Sequence, residues 1–189
     1  MSTKNNINQK IIHLVEIFNQ KKYDEVIQQS NKLLIKGYKT AILFNLIGAS
    51  YSFKNDHTKA IEFYNKSLDL NYNNEEILRN LGKSLIKTQQ YDEAIYVFEK
   101  SIKLKPNHAD SFFSLGFIYL QKGQYLESIN NFKKTAELKN DICDIYYNLG
   151  VVYDLLGNLD ESKKNYILAI KLNNKYLTAI NNLATIYIR

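Results

Sequence analysis

Few residues of this 189-residue chain are equipped for covalent or metal chemistry. There are three histidines, His13, His57 and His108, and one cysteine, Cys143. No two histidines are spaced to hold a metal on one helix face. A lone cysteine makes neither an internal disulfide nor a cysteine-rich zinc site. A Cys–His nucleophile pair would need the fold to bring distant segments together, and no spacing here points to one. A glycine-rich phosphate loop is absent. The sequence therefore predicts no catalytic residue, no metal and no cofactor. The side chains that stand out are suited to binding. Arg79, Lys83 and Lys87 follow one another at four-residue steps, so they share one helical face. Phe113 and Phe117 repeat that step one stretch later. Cations of this kind hold carboxylates through charge-assisted hydrogen bonds, and rings supply buried area.

Charge and composition narrow the partners. The formal net charge is +6, but it is spread along the chain. Residues 1–74 carry ten lysines against six acids; residues 75–189 carry fifteen Lys and Arg against thirteen acids. Diffuse charge of this kind aids solubility and does not make the clustered basic face that nucleic acid needs. No nucleic-acid partner is expected. The apolar runs fall far short of the ~20 residues needed to span a bilayer, so no membrane insertion is expected. The opening MSTKNNINQK is polar and has no apolar signal core, which predicts a cytoplasmic protein. Fifteen Tyr and nine Phe argue for an ordered chain.

The elements that must position these residues are periodic. Gly48, Gly82, Gly116 and Gly150 lie 34 residues apart, and the next step lands on Ala184. Twelve residues after each glycine comes a small residue: Ala60, Ala94, Ser128 and Ser162. Four further on comes an aromatic: Tyr64, Phe98, Phe132 and Tyr166. Apolar residues recur at three- and four-residue spacing, so each unit reads as two helices. The short polar breaks between them contain Gly123 and Gly157, suited to a helix C-terminus. Asp56 and Asn158 stand where they can cap the second helix. A glycine at a helix crossing lets two backbones approach, and the aromatic fills the adjacent hollow.

This pattern resembles the tetratricopeptide repeat, a 34-residue helix–turn–helix unit with the signature W-x2-L-G-x2-Y…A-x3-F…P. Phe44, Leu78, Phe112 and Tyr146 hold the W place, and Ile47-Gly48, Leu81-Gly82, Leu115-Gly116 and Leu149-Gly150 hold the L-G pair. The resemblance implies an all-α, right-handed superhelical solenoid of antiparallel helix pairs, an α-α superhelix. Residues 1–40 then read as a degenerate, capping hairpin, with Leu14 where glycine is expected. Residues 41–74, 75–108, 109–142 and 143–176 read as repeats one to four. Residues 177–189 read as a lone first helix or cap. His57 falls where other units have Tyr91, Tyr125 or Leu159, a packing place, and His13 falls on the apolar face of the degenerate unit.

The resemblance also implies where a partner binds. First helices line the inner, concave surface of such a solenoid. The places that face inward hold Asn45 in the first repeat, Arg79, Asn80, Lys83 and Lys87 in the second, Phe113 and Phe117 in the third, and Tyr147 and Asn148 in the fourth. A basic stripe beside an aromatic one suits an extended segment with acidic and apolar side chains. Asn80, Asn148 and Asn182 occupy one equivalent place, where some family members use such a row to hold a ligand backbone. The two-carboxylate clamp that certain members use on chaperone tails is not reproduced, because Asp110 or Asp144 falls where lysine is required. The chain thus reads as a non-enzymatic scaffold for a protein or peptide partner. Two other roles are compatible. AILFNLIGASY resembles the first unit of bacterial arrays that precede sulfotransferase, glycosyltransferase or methyltransferase domains, which implies a recruiting segment of a larger enzyme. The face formed by Ile180, Leu183, Ile186 and Tyr187 is suited to self-association through residues 177–189.

Overall fold

The computed structural model describes residues 2–71 and 73–188, with side chains given from residue 7 onward. Among the described residues there are eleven α-helices and no strand. They are α1 (Ser2–Asn19), α2 (Tyr23–Ile35), α3 (Ala41–Phe53), α4 (His57–Leu70), α5 (Glu75–Lys87), α6 (Tyr91–Leu104), α7 (Ala109–Gln121), α8 (Tyr125–Leu138), α9 (Cys143–Leu155), α10 (Leu159–Leu172) and α11 (Leu177–Ile188). The helices group into two compact units, residues 1–104 and 105–189. Arg189 lies outside the described residues.

Local chemistry sets the helix ends. Thr40, Asp56, Asn74 and Asn158 each accept, through a side-chain oxygen, the backbone N–H three residues on, at 3.1–3.3 Å. Each satisfies a donor that the first helical turn would leave unpaired. At the other end, the residue between paired helices is left-handed at every unit. The series is Lys21, Asn55, Gln89, Gly123 and Gly157, all with φ between 60° and 75°. This 34-residue series includes Lys21, so the N-terminal hairpin turns in register with the others although its crossing glycine is missing.

Within unit 1, α3 pairs with α4 and α5 with α6, while α2 packs on α3 and α4 on α5. In unit 2, α7 pairs with α8 and α9 with α10, and α11 rests on α10. The four glycines sit at the crossings. A Cβ placed on Gly48, Gly82, Gly116 or Gly150 would fall 2.9, 2.7, 2.7 and 2.6 Å from the rings of Tyr64, Phe98, Phe132 and Tyr166. These rings are buried, at 2%, 0%, 0% and 0% exposure. Ser128 and Ser162 tie the same crossings by donating from Oγ to the carbonyls of Gly116 and Gly150, both at 2.8 Å. In the N-terminal hairpin the order of sizes is inverted. Leu14 stands at the glycine place and Ser30 at the aromatic place sixteen residues later, and both are buried. A large and a small residue have exchanged helices.

Two expectations about faces change. His13 is exposed and sits 3.5 Å from Glu16, because the apolar side of α1 is set by Leu14 and Ile17. Of the α11 face, Ile186 is buried in the core with Tyr166, Ala169 and Ala179, Ile180 and Leu183 are half-covered, and Tyr187 is exposed. Helix α10 supplies that cover.

Candidate functional site

The first helices of unit 1 enclose a cleft. α1, α3 and α5 line a cavity of about 520 Å³. Its apolar wall is Val15, Phe18, Ile42, Leu46 and Phe53; its polar side includes Asn45, Asn80, Glu76 and Lys83. Ile42 and Phe53 are more than half exposed, so the wall is open to a ligand. The aromatic end is a set of packed rings. Phe18 meets Phe53 edge-on at 5.6 Å, and Tyr23 stacks on Phe53 at 5.1 Å with the planes 8° apart. Tyr64, also on the cleft wall, has its phenol pushed well above the ordinary range by burial, so it is neutral at physiological pH.

The polar side has one unmet need. Asn45 Oδ1 is buried and accepts no hydrogen bond. An unpaired buried carbonyl costs free energy, on the order of 1–3 kcal/mol.

The three cations of α5 do not act alike. Arg79 donates from Nε to Glu75 at 2.8 Å, with both side chains mostly covered, so its charge is matched within its own helix. Lys83 is exposed on the cleft wall. Lys87, also exposed, lies close enough to His57 to favour the neutral imidazole. Lys83 is thus the cation of the three that faces the cleft itself.

In unit 2 the rings of Phe113, Phe117 and Tyr147 are half-covered. Phe113 meets Phe132 edge-on at 5.5 Å, and Phe113 and Phe117 both pack against the unit's apolar cluster. Tyr147 lies 6.0 Å from Tyr166 and 5.1 Å from Tyr176. The Asn148 amide donates to the carbonyl of Asp144 at 2.7 Å, and Asn182 donates to the Tyr166 hydroxyl at 3.2 Å. Of the asparagine row, these two use a donor internally. The Tyr176 hydroxyl donates to Asp144 at 2.5 Å. Burial, with that hydrogen bond, pushes the Tyr176 phenol well above its ordinary value.

Sequence reasoning passed over the contribution of α1. Val15, Phe18 and Asn19 stand one, four and five residues after Leu14, the same offsets that place Ala49, Ser52 and Phe53 after Gly48. Carrying that register into the degenerate hairpin would have found them. Among the described residues, no group of three or more His, Cys, Asp or Glu side chains is placed to hold a metal ion. No helix among them is long and apolar enough to cross a membrane.

Comparison with known proteins agrees with this architecture. One family model, described as TPR repeat, matches residues 82–123 and 118–157. Another, described as Tetratricopeptide repeat, matches residues 41–74 and 144–176. The fold is the all-α solenoid type of that family, and the chain belongs to the tetratricopeptide repeat family. Among solved structures, the chain is similar to YrrB, described as a TPR protein with an unusual peptide-binding site. The two share 20% identity over 90% of this chain and 88% of that one, with a TM-score of 0.82. It is similar also to the MamA protein, at 22% identity over 94% and 96%, TM-score 0.82. A third is the C-terminal part of a TPR repeat-containing protein from Cytophaga hutchinsonii, at 18% identity over 93% and 69%, TM-score 0.83. No curated protein matches the chain. Family and fold are those of protein–protein interaction scaffolds.

Proposed function

We propose that the chain is a non-enzymatic scaffold that takes an extended peptide segment of a partner protein into the unit 1 cleft. The observation that carries this is a cleft with an apolar wall on one side and Asn45, Asn80 and the exposed Lys83 on the other. A backbone N–H of the ligand would pair with an asparagine side chain there without reading its sequence. The apolar wall of Val15, Phe18, Ile42 and Phe53 would take an apolar side chain, and Lys83 an acidic one, with Asn80 beside it. Arg79, paired with Glu75, and Lys87 lie outside the cleft lining and are not needed for it. In unit 2, Phe113, Phe117, Tyr147 and Asn148 would serve a contact of their own. The peptide-binding site described for YrrB supports peptide as the ligand class. The recruiting role ahead of a transferase domain would use the same cleft chemistry.

The cleft is open and offers few deep anchors, so modest affinity is expected. The test is a titration with an acidic–apolar peptide selected from a displayed library against the intact chain. Lys83→Glu is expected to weaken binding by about tenfold or more, with the helical circular dichroism unchanged. Unchanged affinity would remove the cleft from consideration.

A further inference from the structure

Unit 2 carries a second cleft, on helices α8, α9 and α10. Its volume is about 410 Å³, and Tyr146, Tyr153 and Asn165 line it, with Lys133 and Glu161 at the rim. Unit 1 holds the same three places 102 residues earlier, as Phe44, Tyr51 and Phe63. There the third place is a ring. Phe63 stacks on Tyr51 at 5.6 Å with the planes 21° apart, and lies 6.3 Å from Phe44. In unit 2 the third place is Asn165, which is buried and turns its amide to its own helix, donating to the carbonyl of Glu161 at 2.8 Å. Tyr146 and Tyr153 therefore face a cleft where their counterparts meet a phenylalanine.

Most charges at the rim are paired. Glu161 pairs with Lys164 at 3.3 Å, and Glu137 with Lys134 at 2.7 Å. Lys133 adds a third ammonium, held 6.0 Å above the Tyr153 ring. Both lining carboxylates are thus taken by lysines, Lys134 lying outside the lining, and the Lys133 ammonium beside the two rings has no carboxylate partner among the described residues, which complements an acid.

We propose that this cleft binds an aromatic side chain, Phe or Tyr, of a partner segment in which an acidic residue is the neighbour. The incoming ring takes the place that Phe63 takes in unit 1, against Tyr153 and Tyr146, and the carboxylate meets Lys133. Offset or edge-on ring packing of this kind adds to the area it buries. The proposal is independent of the unit 1 cleft, with which it shares no residue.

The test uses the full chain and three small probes, N-acetyl-Glu-Phe-amide, N-acetyl-Glu-Ala-amide and N-acetyl-Lys-Phe-amide, followed through the ring resonances of Tyr146 and Tyr153. The Glu-Phe probe is expected to shift both tyrosines and saturate, and the Glu-Ala probe to leave them unmoved. Asn165→Phe places a ring in the cleft from within and is expected to weaken the Glu-Phe probe by about tenfold or more, with native helicity retained. Lys133→Glu changes only an exposed side chain and is expected to reverse the preference toward Lys-Phe, which keeps the test decisive if the Asn165 variant does not fold. Equal shifts from Glu-Ala, undiminished binding by a folded Asn165→Phe chain, or an unchanged preference in Lys133→Glu would each overturn the proposal.

Discussion

At the scale of single residues, two positions show how close packing and ionisation constrain this protein. The Gly116 Cα lies against a fully buried ring, and a Cβ there would fall 2.7 Å from Phe132. Gly116→Ala is expected to destabilise by about 1–2 kcal/mol: roughly 1–3 kcal/mol of overpacking, partly offset by the better helix propensity of alanine. A urea titration measures it, and adding Phe132→Leu should recover part of the loss, because the two sites share one contact. His57 is the second case. It occupies a packing place, its Nδ1 is buried without a hydrogen-bond partner, and its pKa is depressed below the ordinary 6.5. Burial is the larger cause and the Lys87 ammonium the next, while Asp56 opposes them. The sign follows from linkage. The unfolded chain takes up the proton first as pH falls, so the contribution of His57 is complete above about pH 6.5 and declines as pH drops through its folded value. Thermal unfolding between about pH 7.5 and pH 5.5 should show that decline in the intact chain and a flatter profile in His57→Gln.

At the scale of elements, the turn between paired helices demands one left-handed residue. Gly123 and Gly157 adopt it without a Cβ penalty, whereas Lys21, Asn55 and Gln89 adopt it with one. Gln89→Gly is therefore expected to stabilise the protein by roughly 1 kcal/mol, and Gly157→Ala to destabilise it by a similar amount. Chemical denaturation of the two variants checks both signs. The effect should be larger for Gln89 than for Asn55, since asparagine tolerates this conformation better than other non-glycine residues. Helix pairing follows from the same local rules. The pairs α3–α4, α5–α6 and α9–α10 each combine a side-chain cap, a left-handed turn and a small residue at the crossing, and none of these depends on a distant segment.

At the scale of the molecule, the two kinds of information separate cleanly. The spacing of Gly48, Gly82, Gly116 and Gly150, with an aromatic sixteen residues after each, was sufficient for the helix pairs and their crossings, because both partners of each contact lie within one period. The same period placed Asn45, Asn80 and Lys83 on one wall, and they line one cleft. The left-handed turn at Lys21 and the Leu14–Ser30 inversion were less legible, since a repeat that has lost its glycine keeps its geometry through volume and not through residue type. What the chain's order of residues determined alone was therefore direction: which side of its own helix each side chain leaves from. Only the tertiary structure decided cover and partner. It brought α1 to the cleft, left Asn45 Oδ1 buried without a donor, set Lys87 beside His57, and buried Ile186 under α10. The physical reason is that a helix fixes angles about its own axis, whereas burial and electrostatics depend on what the neighbouring helix carries at the same height.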